Sequence, residues 1–393
     1  IMSQINIRNL SNENDDGSPE IVGVSTFSAT SFFVPPKGTT AERPSDCEPG
    51  SIRFNTDTAN LEYFRGKTLG WSQFELVTPD LGGGTGSNTG VGARGVLMGG
   101  YESYPSIVNK IDFLTIPSLG NTQDFGDMNS GAGAGSMVSS RIRAIHGGGQ
   151  IPSNVNSIEF ITFSSTGNGT NFGDLLKLNQ TMATGASQTR GIFAGGKSNP
   201  SPSNLIEDTI QYITMASEGD AVDFGNLTVA RSHCDPGGSS STRAVFVGGL
   251  NSPNSPYYTN VMDFVTISST GDATDFGDIA AGYGRQDGIV SSSIRGIIAG
   301  GYEDPAHVNT IRFITIATTG DAQDFGDLNQ DEVYSSGMCS PTRGVFAGGS
   351  DPTVSNVIDF ITIQTTGNAL DFGDITTTGR AQAPGGSNAH GGL

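Results

Sequence analysis

Two kinds of ionic side chain recur at regular spacing along this chain. An arginine opens each of six apolar segments such as RGVFAGG, and an acid closes most of six short segments such as DFGD. The arginines are Arg94, Arg143, Arg190, Arg243, Arg295 and Arg343, and the acids are Asp127, Asp174, Asp278, Asp327 and Asp374, with Asn226 in the other copy. Such groups can form ligands for cations or anionic glycans, or clamps in which each arginine binds a carboxylate or carbonyl of the next repeat. Recurrence in every repeat favours the clamp, because binding sites are normally asymmetric.

The elements that position these residues repeat about every 50 residues. Each repeat holds a segment of small residues, the arginine-led segment ending in Gly-Gly, a β-branched run such as DFITI, and the DFGD segment. These short runs are bounded by turn residues and show no helical periodicity, so each repeat predicts four short strands. Four-stranded units of this kind stack radially, which predicts an all-β chain with a six-bladed β-propeller.

The repeat is similar to the kelch repeat over residues 94–393. The similarity rests on the Gly-Gly segment, the variable loop after it, and an aromatic residue on the fourth strand, where kelch repeats usually carry tryptophan. That position holds Phe125, Phe172, Phe224, Phe276, Phe325 and Phe372. Kelch-type propellers include galactose oxidase, whose copper site needs histidines, tyrosines and a cysteine. The histidines here (His146, His233, His307, His390) show no such pattern, and His146 replaces an apolar core residue.

The spacing of the repeats also predicts how the propeller closes. The segment before the first arginine does not provide an obvious innermost strand for blade 1, whereas residues 375–389 form a small-residue segment with no following strand. We therefore expect the C-terminal segment to complete blade 1.

Composition bears on possible partners and reactions. The 393 residues carry 39 acids against 20 bases, a formal charge of −19, which argues against nucleic acid and anionic membranes. The apolar runs are too short to insert in a membrane. The cysteines (Cys47, Cys234, Cys339) lack metal-ligand spacing, and no catalytic motif is present. The sequence predicts no catalytic residue, metal site or cofactor; a carbohydrate-active enzyme or lectin is the least favoured alternative.

The N-terminal quarter predicts three further segments. Residues 1–42 form an extended attachment segment, 43–81 a small β-meander with strands SIRF, LEYF and WSQFELV, and 82–93 a glycine-rich linker. The phrase PGSIRFNTDTANLEYFRG resembles a module of tailed-bacteriophage structural proteins. Together with the kelch-like repeats, the chain is similar to virion proteins of marine cyanobacterial phages. The resemblance implies assembly in the host cytoplasm, contacts with other virion proteins through residues 1–80, and a homo-oligomer such as a trimer.

Within that context, two roles are open. The chain is either a tail or head fibre whose propeller recognises a host glycan or protein, or a decorating or scaffolding subunit without a receptor role. Length variation is concentrated in the loops between the second and third strands, and such loops carry binding on rigid scaffolds. The candidate binding residues in these loops are Tyr101, Tyr104, Asn199, Asn204, Asn254, Tyr257, Tyr258 and Tyr302.

Overall fold

In the computed structural model the chain divides into two compact units, residues 1–78 and 79–393. The structure describes residues 35–57, 60–73, 94–151, 153–198, 205–251, 257–280, 282–284, 288–350, 352–376 and 378–393. The predicted linker at 82–93 and the attachment segment up to residue 34 lie outside these ranges. No helix in the described ranges has the length and apolar character needed to cross a membrane.

The N-terminal unit is one small sheet. Its strands lie side by side in chain order: Lys37–Gly38, Ile52–Asn55, Asn60–Phe64 and Trp71–Gln73, with a short 3-10 helix at Thr40–Glu42. The first pair is parallel and the other pairs are antiparallel, so three strands form the predicted meander. The carboxylate of Glu62 is buried, with Arg43 Nη2 at 2.7 Å and Arg53 Nε at 3.4 Å. A buried carboxylate of this kind needs such partners to offset its lost hydration.

The second unit is a six-bladed β-propeller, which confirms the predicted fold. Each blade is an antiparallel sheet of four strands. The innermost strands of blades 1 to 6 are Gly385–Ser387, Ser136–Ser139, Ala183–Ala186, Asp235–Ser239, Val290–Ser291 and Ser336–Cys339. The second strands are Arg94–Met98, Arg143–Gly147, Arg190–Ala194, Arg243–Val247, Arg295–Ala299 and Arg343–Ala347. The third strands are Lys110–Thr115, Ser157–Thr162, Thr209–Thr214, Val261–Thr266, Thr310–Thr315 and Val357–Thr362. The outer strands are Gln123–Asp127, Thr170–Asp174, Val222–Asn226, Thr274–Asp278, Gln323–Asp327 and Leu370–Asp374.

Short strands extend from the main blades as two pairs and two three-stranded sheets. They are Tyr101–Ser103 with Ser106–Ile107, Gln150–Ile151 with Ser153–Asn154, Asn179–Gln180 with Lys197–Ser198 and Leu205–Ile206, and Tyr283–Gly284 with Tyr302–Glu303 and Ala306–His307. They lie in the loops after the paired glycines and in the connections between blades. These loops and connections leave the propeller at one end, here called the loop face. The turns between first and second strands and between third and fourth strands leave at the opposite end, the turn face.

The apolar second strands are buried because each lies between neighbouring blades. In blade 1, Val96, Leu97 and Met98 are fully buried. The phenylalanine of each outer strand packs edge-to-face on an aromatic residue of the third strand; Phe125 and Phe113 lie 5.9 Å apart at 81°. This aromatic contact occupies the place that the kelch similarity assigns to tryptophan.

Each blade is also tied to the next at its outer edge. The turn between third and fourth strands runs beside the outer strand of the preceding blade, where Gly167 N donates to Phe125 O at 2.8 Å. Gly126 has φ of +148°, and a Cβ there would lie 2.4 Å from Gly167 O. The glycine of DFGD is therefore required by the close approach of two backbones.

The C-terminal segment supplies the innermost strand of blade 1, as the repeat spacing predicts. Gly385, Gly386 and Ser387 pair antiparallel with Leu97, Val96 and Gly95, respectively. This strand contacts the innermost strands of blades 2 and 6 and so completes the circle of blades. The pairing is continued by Asn388, whose N donates to Arg94 O while its Oδ1 accepts from Arg94 N.

Residues 389–393 then enter the axial channel from the turn face. A Cβ at Gly391 would lie 1.9 Å from Ser292 O and 2.6 Å from Ser239 O, and one at Gly392 would lie 1.9 Å from Ala186 O. The tail is therefore packed against the ends of several innermost strands. His390 is buried with it; its Nε2 donates to Ser139 O at 2.8 Å, and its Nδ1 accepts from Gly392 N at 3.1 Å.

Acid should destabilise the propeller through His390. Both ring nitrogens are used by the neutral imidazole, and burial lowers the pKa of His390 from its ordinary value of 6.5 to about 4. The unfolded chain therefore binds the proton more tightly, and the stabilisation is complete above pH 6.5 and falls as the pH drops towards 4. The loss approaches about 1.4 kcal/mol per pH unit, or roughly 3 kcal/mol in all. Denaturant unfolding at pH 7 and pH 4 measures this for the native chain and a His390→Gln variant. Between these pH values the free energy of unfolding should fall by about that much less in the variant than in the native chain. Equal losses would contradict this role.

Candidate functional site

The six recurring arginines form one repeated contact between blades. Each guanidinium stacks on the third-strand aromatic residue of its own blade, at 4.1–4.6 Å from the ring centroid. Its Nη1 donates to the carbonyl after the third strand of the next blade, at 2.5–3.4 Å. The arginines and their acceptors are Arg94 with Phe163, Arg143 with Met215, Arg190 with Ile267, Arg243 with Ile316, Arg295 with Ile363, and Arg343 with Ile116. The predicted clamp could have joined each arginine to a carboxylate or to a carbonyl of the next repeat, and the contact observed is the one to a carbonyl.

The DFGD acids contribute to the blade junctions through their backbone. The side chains of Asp127, Asp174, Asp278 and Asp374 are exposed, and that of Asp327 is half-buried. Their N–H groups, and that of Asn226, donate at 2.9–3.1 Å to an Asn or Asp side chain in the turn of the next blade. These acceptors are Asn168, Asp220, Asp272, Asp321, Asn368 and Asn121. Sequence reasoning missed them, although an Asn or Asp follows a glycine at this point in all six repeats.

The variable loops have rigid bases on the loop face. In blades 1, 2, 4 and 6 an isolated β-bridge joins the loop to the connection from the preceding blade, and in blades 3 and 5 a three-stranded sheet does so. For example, Tyr101 bridges Ala381 in blade 1, and Leu250 bridges both Ser232 and Tyr258 in blade 4. The loop tips are thus displayed from a fixed base, which lowers the entropy that binding would cost.

The structure separates the candidate tyrosines into two groups. Tyr258 and Tyr302 come from blades 4 and 5, and their ring centroids lie 4.9 Å apart; Tyr302 also contacts His307 at 5.7 Å. Tyr257 is 56% exposed beside them. Tyr101 and Tyr104 pack on each other in blade 1, three blades away, where Tyr104 is exposed and Tyr101 is buried. Asn199, Asn204 and Asn254 lie outside the described residues, so their binding role stays a prediction.

Three cations near the loops are paired with acids. Lys110 Nζ lies 2.7 Å from Glu102, Lys177 Nζ lies 2.8 Å from Glu207, and Arg312 pairs with Glu303. These pairs neutralise positive charge at the bases of the loops in blades 1, 3 and 5. The electrostatics there favour a neutral, hydroxyl-bearing ligand over a polyanion.

Within the described residues, a row of four backbone hydrogen bonds runs along the axial mouth on the loop face. Its residues have left-handed backbones with φ of 52–64°: Ala134, Thr181, His233, Tyr334 and Gln382. The N–H of one donates to the carbonyl of the equivalent residue in the preceding blade, as Thr181 N does to Ala134 O at 2.9 Å. The rings of His233 and Tyr334 lie 6.3 Å apart although their connections are two blades apart, so they lean over the mouth. These five residues share no residue type, so no sequence signal marked them.

The groups with the strongest chemistry are buried in the structural core. Burial raises the pKa of the Cys234 and Cys339 thiols to about 11, which keeps them protonated and unreactive. His146 is also buried, as expected of a core residue, but its Nε2 has no hydrogen-bond partner among the described residues. Within those residues no three His, Cys, Asp or Glu side chains form a group that would hold a metal ion.

Comparison with known proteins supports the fold. No protein-family model and no curated protein matches the chain. Among solved structures, the chain is similar to one titled "Structure of YjhT", with a TM-score of 0.52 and 10% sequence identity. The match covers 65% of this chain and 87% of that chain. At this identity the similarity shows a shared β-propeller architecture and carries no information about the ligand.

Proposed function

We propose that this chain is a structural protein of a tailed-bacteriophage particle and that its propeller recognises a host surface through the loop face. The observation that supports binding is the exposed ring of Tyr257, next to the buried Tyr258, which contacts the half-buried Tyr302 across two blades. Aromatic rings that keep one face or edge open stack on sugars or pack on protein loops at low entropic cost. The junction of blades 4 and 5 is therefore the proposed recognition site.

The phage context rests on the N-terminal phrase and the kelch-like repeats, and the proposed attachment is through residues 1–80. In this proposal the N-terminal region contacts other virion proteins and forms a homo-oligomer, a trimer by analogy with fibres. The proposed role is binding without catalysis. The paired cations at the loop bases favour a neutral surface glycan as the ligand.

Adsorption of assembled particles tests this proposal. Particles carrying Tyr257→Ala should adsorb to host cells at least about tenfold more weakly, which corresponds to about 1.4 kcal/mol of lost contact. Tyr104→Ala is the matched control, because Tyr104 is 82% exposed on a different blade of the same face. The amount of this chain per purified particle should be unchanged in both variants.

Two results would overturn the recognition role. Normal adsorption of Tyr257→Ala particles with full occupancy would place recognition elsewhere. Loss of the chain from Tyr257→Ala particles would instead favour the decorating or scaffolding subunit, because the same surface would then be needed for assembly.

A further inference from the structure

Each blade brings two side chains together beneath the connection from the preceding blade. One lies on the third strand, opposite the second strand. The other lies in the connection, and its carbonyl accepts a hydrogen bond from the second of the paired glycines of the preceding blade. In blades 1 to 6 these pairs are Asp112 with Arg380, Glu159 with Ala132, Gln211 with Asn179, Asp263 with Arg231, Arg312 with Tyr283, and Asp359 with Glu332.

In blades 1 and 4 the pair is a buried ion pair. Arg231 Nη2 lies 2.9 Å from Asp263, and Arg380 pairs with Asp112; both arginine side chains are fully buried. Arg380 Nη1 also donates to Lys110 O at 3.0 Å and lies 3.4 Å from Gly99 O. The guanidinium thus occupies a space bounded by one carboxylate and two backbone carbonyls.

In blades 3 and 5 a neutral donor enters the same space. Asn179 Nδ2 donates to Gly195 O at 3.0 Å, and the Tyr283 hydroxyl donates to Gly300 O. Gly195 and Gly300 are the equivalents of Gly99, since each is the first of the paired glycines. Blades 1, 3 and 5 therefore supply a donor to this carbonyl from three types of side chain.

Blade 2 retains the acceptors but not the donor. Ala132 has no side-chain polar group, and a cavity of about 130 Å³ lies beside it. The lining includes Glu159, Gly148 and Ser157, the equivalents of Asp112, Gly99 and Lys110. Within the described residues, the hydrogen bonds to the Glu159 carboxylate come from Asn129, whose N and Nδ2 both donate to Oε2 at 3.0 Å.

His146 lines the same cavity. It pairs directly across the sheet with Glu159 and lines the cavity, at a position where blades 3, 4 and 6 carry phenylalanine. Burial lowers the pKa of His146 to about 4, so the imidazole is neutral near pH 7. Its Nε2 is shielded from solvent and has no hydrogen-bond partner in the described part of the chain.

We propose that this blade 2 cavity binds a guanidinium or primary ammonium group, in the place that arginine side chains fill in blades 1 and 4. Glu159 supplies the opposite charge, and the carbonyls of Gly148 and Ser157 accept hydrogen bonds from the cation. The mouth of the cavity is formed by the exposed residues Asn129, Ser130 and Asn171. The cation is either free in solution or part of an arginine side chain of another protein. This site is independent of the tyrosine site.

Ligand titration of the full chain at pH 8 tests the proposal. The probes are guanidinium chloride and N-acetyl-arginine amide at millimolar concentration, with tetramethylammonium, which donates no hydrogen bonds, at equal ionic strength. A group of so few atoms should bind with a Kd on the order of 1 mM. Binding should shift the NMR signals of the His146 ring and should raise the Tm, whereas tetramethylammonium should do neither.

Two variants provide matched controls because other blades already carry their residues. Ala132→Arg places a guanidinium in the cavity as in blades 1 and 4, and Glu159→Gln removes the charge as in blade 3. Both should weaken guanidinium binding at least tenfold. Binding of guanidinium alone indicates a free cation, and binding of both probes indicates an arginine side chain; either supports the site. An equal response to tetramethylammonium, no response of the native chain, or unchanged guanidinium binding in both variants would overturn it.

Discussion

A chain lacking residues 385–393 should lose the cooperative unfolding transition of its propeller. The deletion removes the innermost strand of blade 1 and leaves the second strand at Arg94–Met98 with an unpaired edge. It also removes the tail that packs against the innermost strands in the channel. The expected loss is at least about 5 kcal/mol, comparable with the whole stability of a domain. Differential scanning calorimetry measures it directly.

The choice of probe matters for this experiment. The chain's one tryptophan, Trp71, lies in the N-terminal unit, so tryptophan fluorescence does not report on the propeller. A synthetic peptide of residues 380–393, added in excess, should restore part of the calorimetric transition by pairing with the open strand. An unchanged transition in the truncated chain would show that blade 1 is stable without this strand.

Replacing Arg380 with alanine should cost about 3–5 kcal/mol, because it leaves the Asp112 carboxylate buried without its partner. Burial raises the pKa of Asp112 and lowers that of Arg380 despite their pairing, so desolvation outweighs their mutual attraction. For a domain of this size the Tm should fall by roughly 5–8 °C. Guanidinium chloride at millimolar concentration should raise the Tm of this variant more than that of the native chain.

Two comparisons show whether the effect comes from the unpaired charge. Lys110→Ala breaks a partly exposed pair with Glu102 in the same blade and should cost less than about 1 kcal/mol. The double variant Arg380→Met with Asp112→Leu should regain most of the stability, because no uncompensated charge remains. If Arg380→Ala loses less than 1 kcal/mol, the buried pair is not a principal contact of blade 1.

The repeats carried enough information to predict the propeller and its closure. Apolar runs that alternate with turn residues indicate which strands pair within a blade, because those strands follow one another closely in the sequence. The recurring arginines also indicated contacts between blades. Their acceptors were less predictable, because a carbonyl such as Phe163 O has no residue-type signature. The Asn and Asp side chains at the turns, such as Asn168, did have a sequence signature, because each follows a glycine.

The remaining features of the candidate sites depend on contacts between distant segments, and the spacing of the repeats does not show which residues of those segments meet. Ala132 and Glu159 are ordinary residues when read separately, and the cavity between them becomes apparent only when the blades are compared in three dimensions. The left-handed residues at the axial mouth, such as Thr181 and His233, are set by backbone hydrogen bonds rather than by residue type. His146 was correctly expected in the core, but the lack of a partner for its Nε2 among the described residues depends on side-chain geometry.

Closure by a distant strand has a kinetic consequence. The strand at Gly385–Ser387 pairs with residues about 290 positions earlier, whereas the other three strands of each blade are joined by short turns and loops. Bringing two such distant segments together costs about 5 kcal/mol of free energy through lost chain entropy, before any contact between them forms. The blades should therefore form first and the circle should close late, which makes closure the slow step in folding. Until then, blade 1 exposes an open strand edge, and self-association through that edge should compete with closure as protein concentration rises.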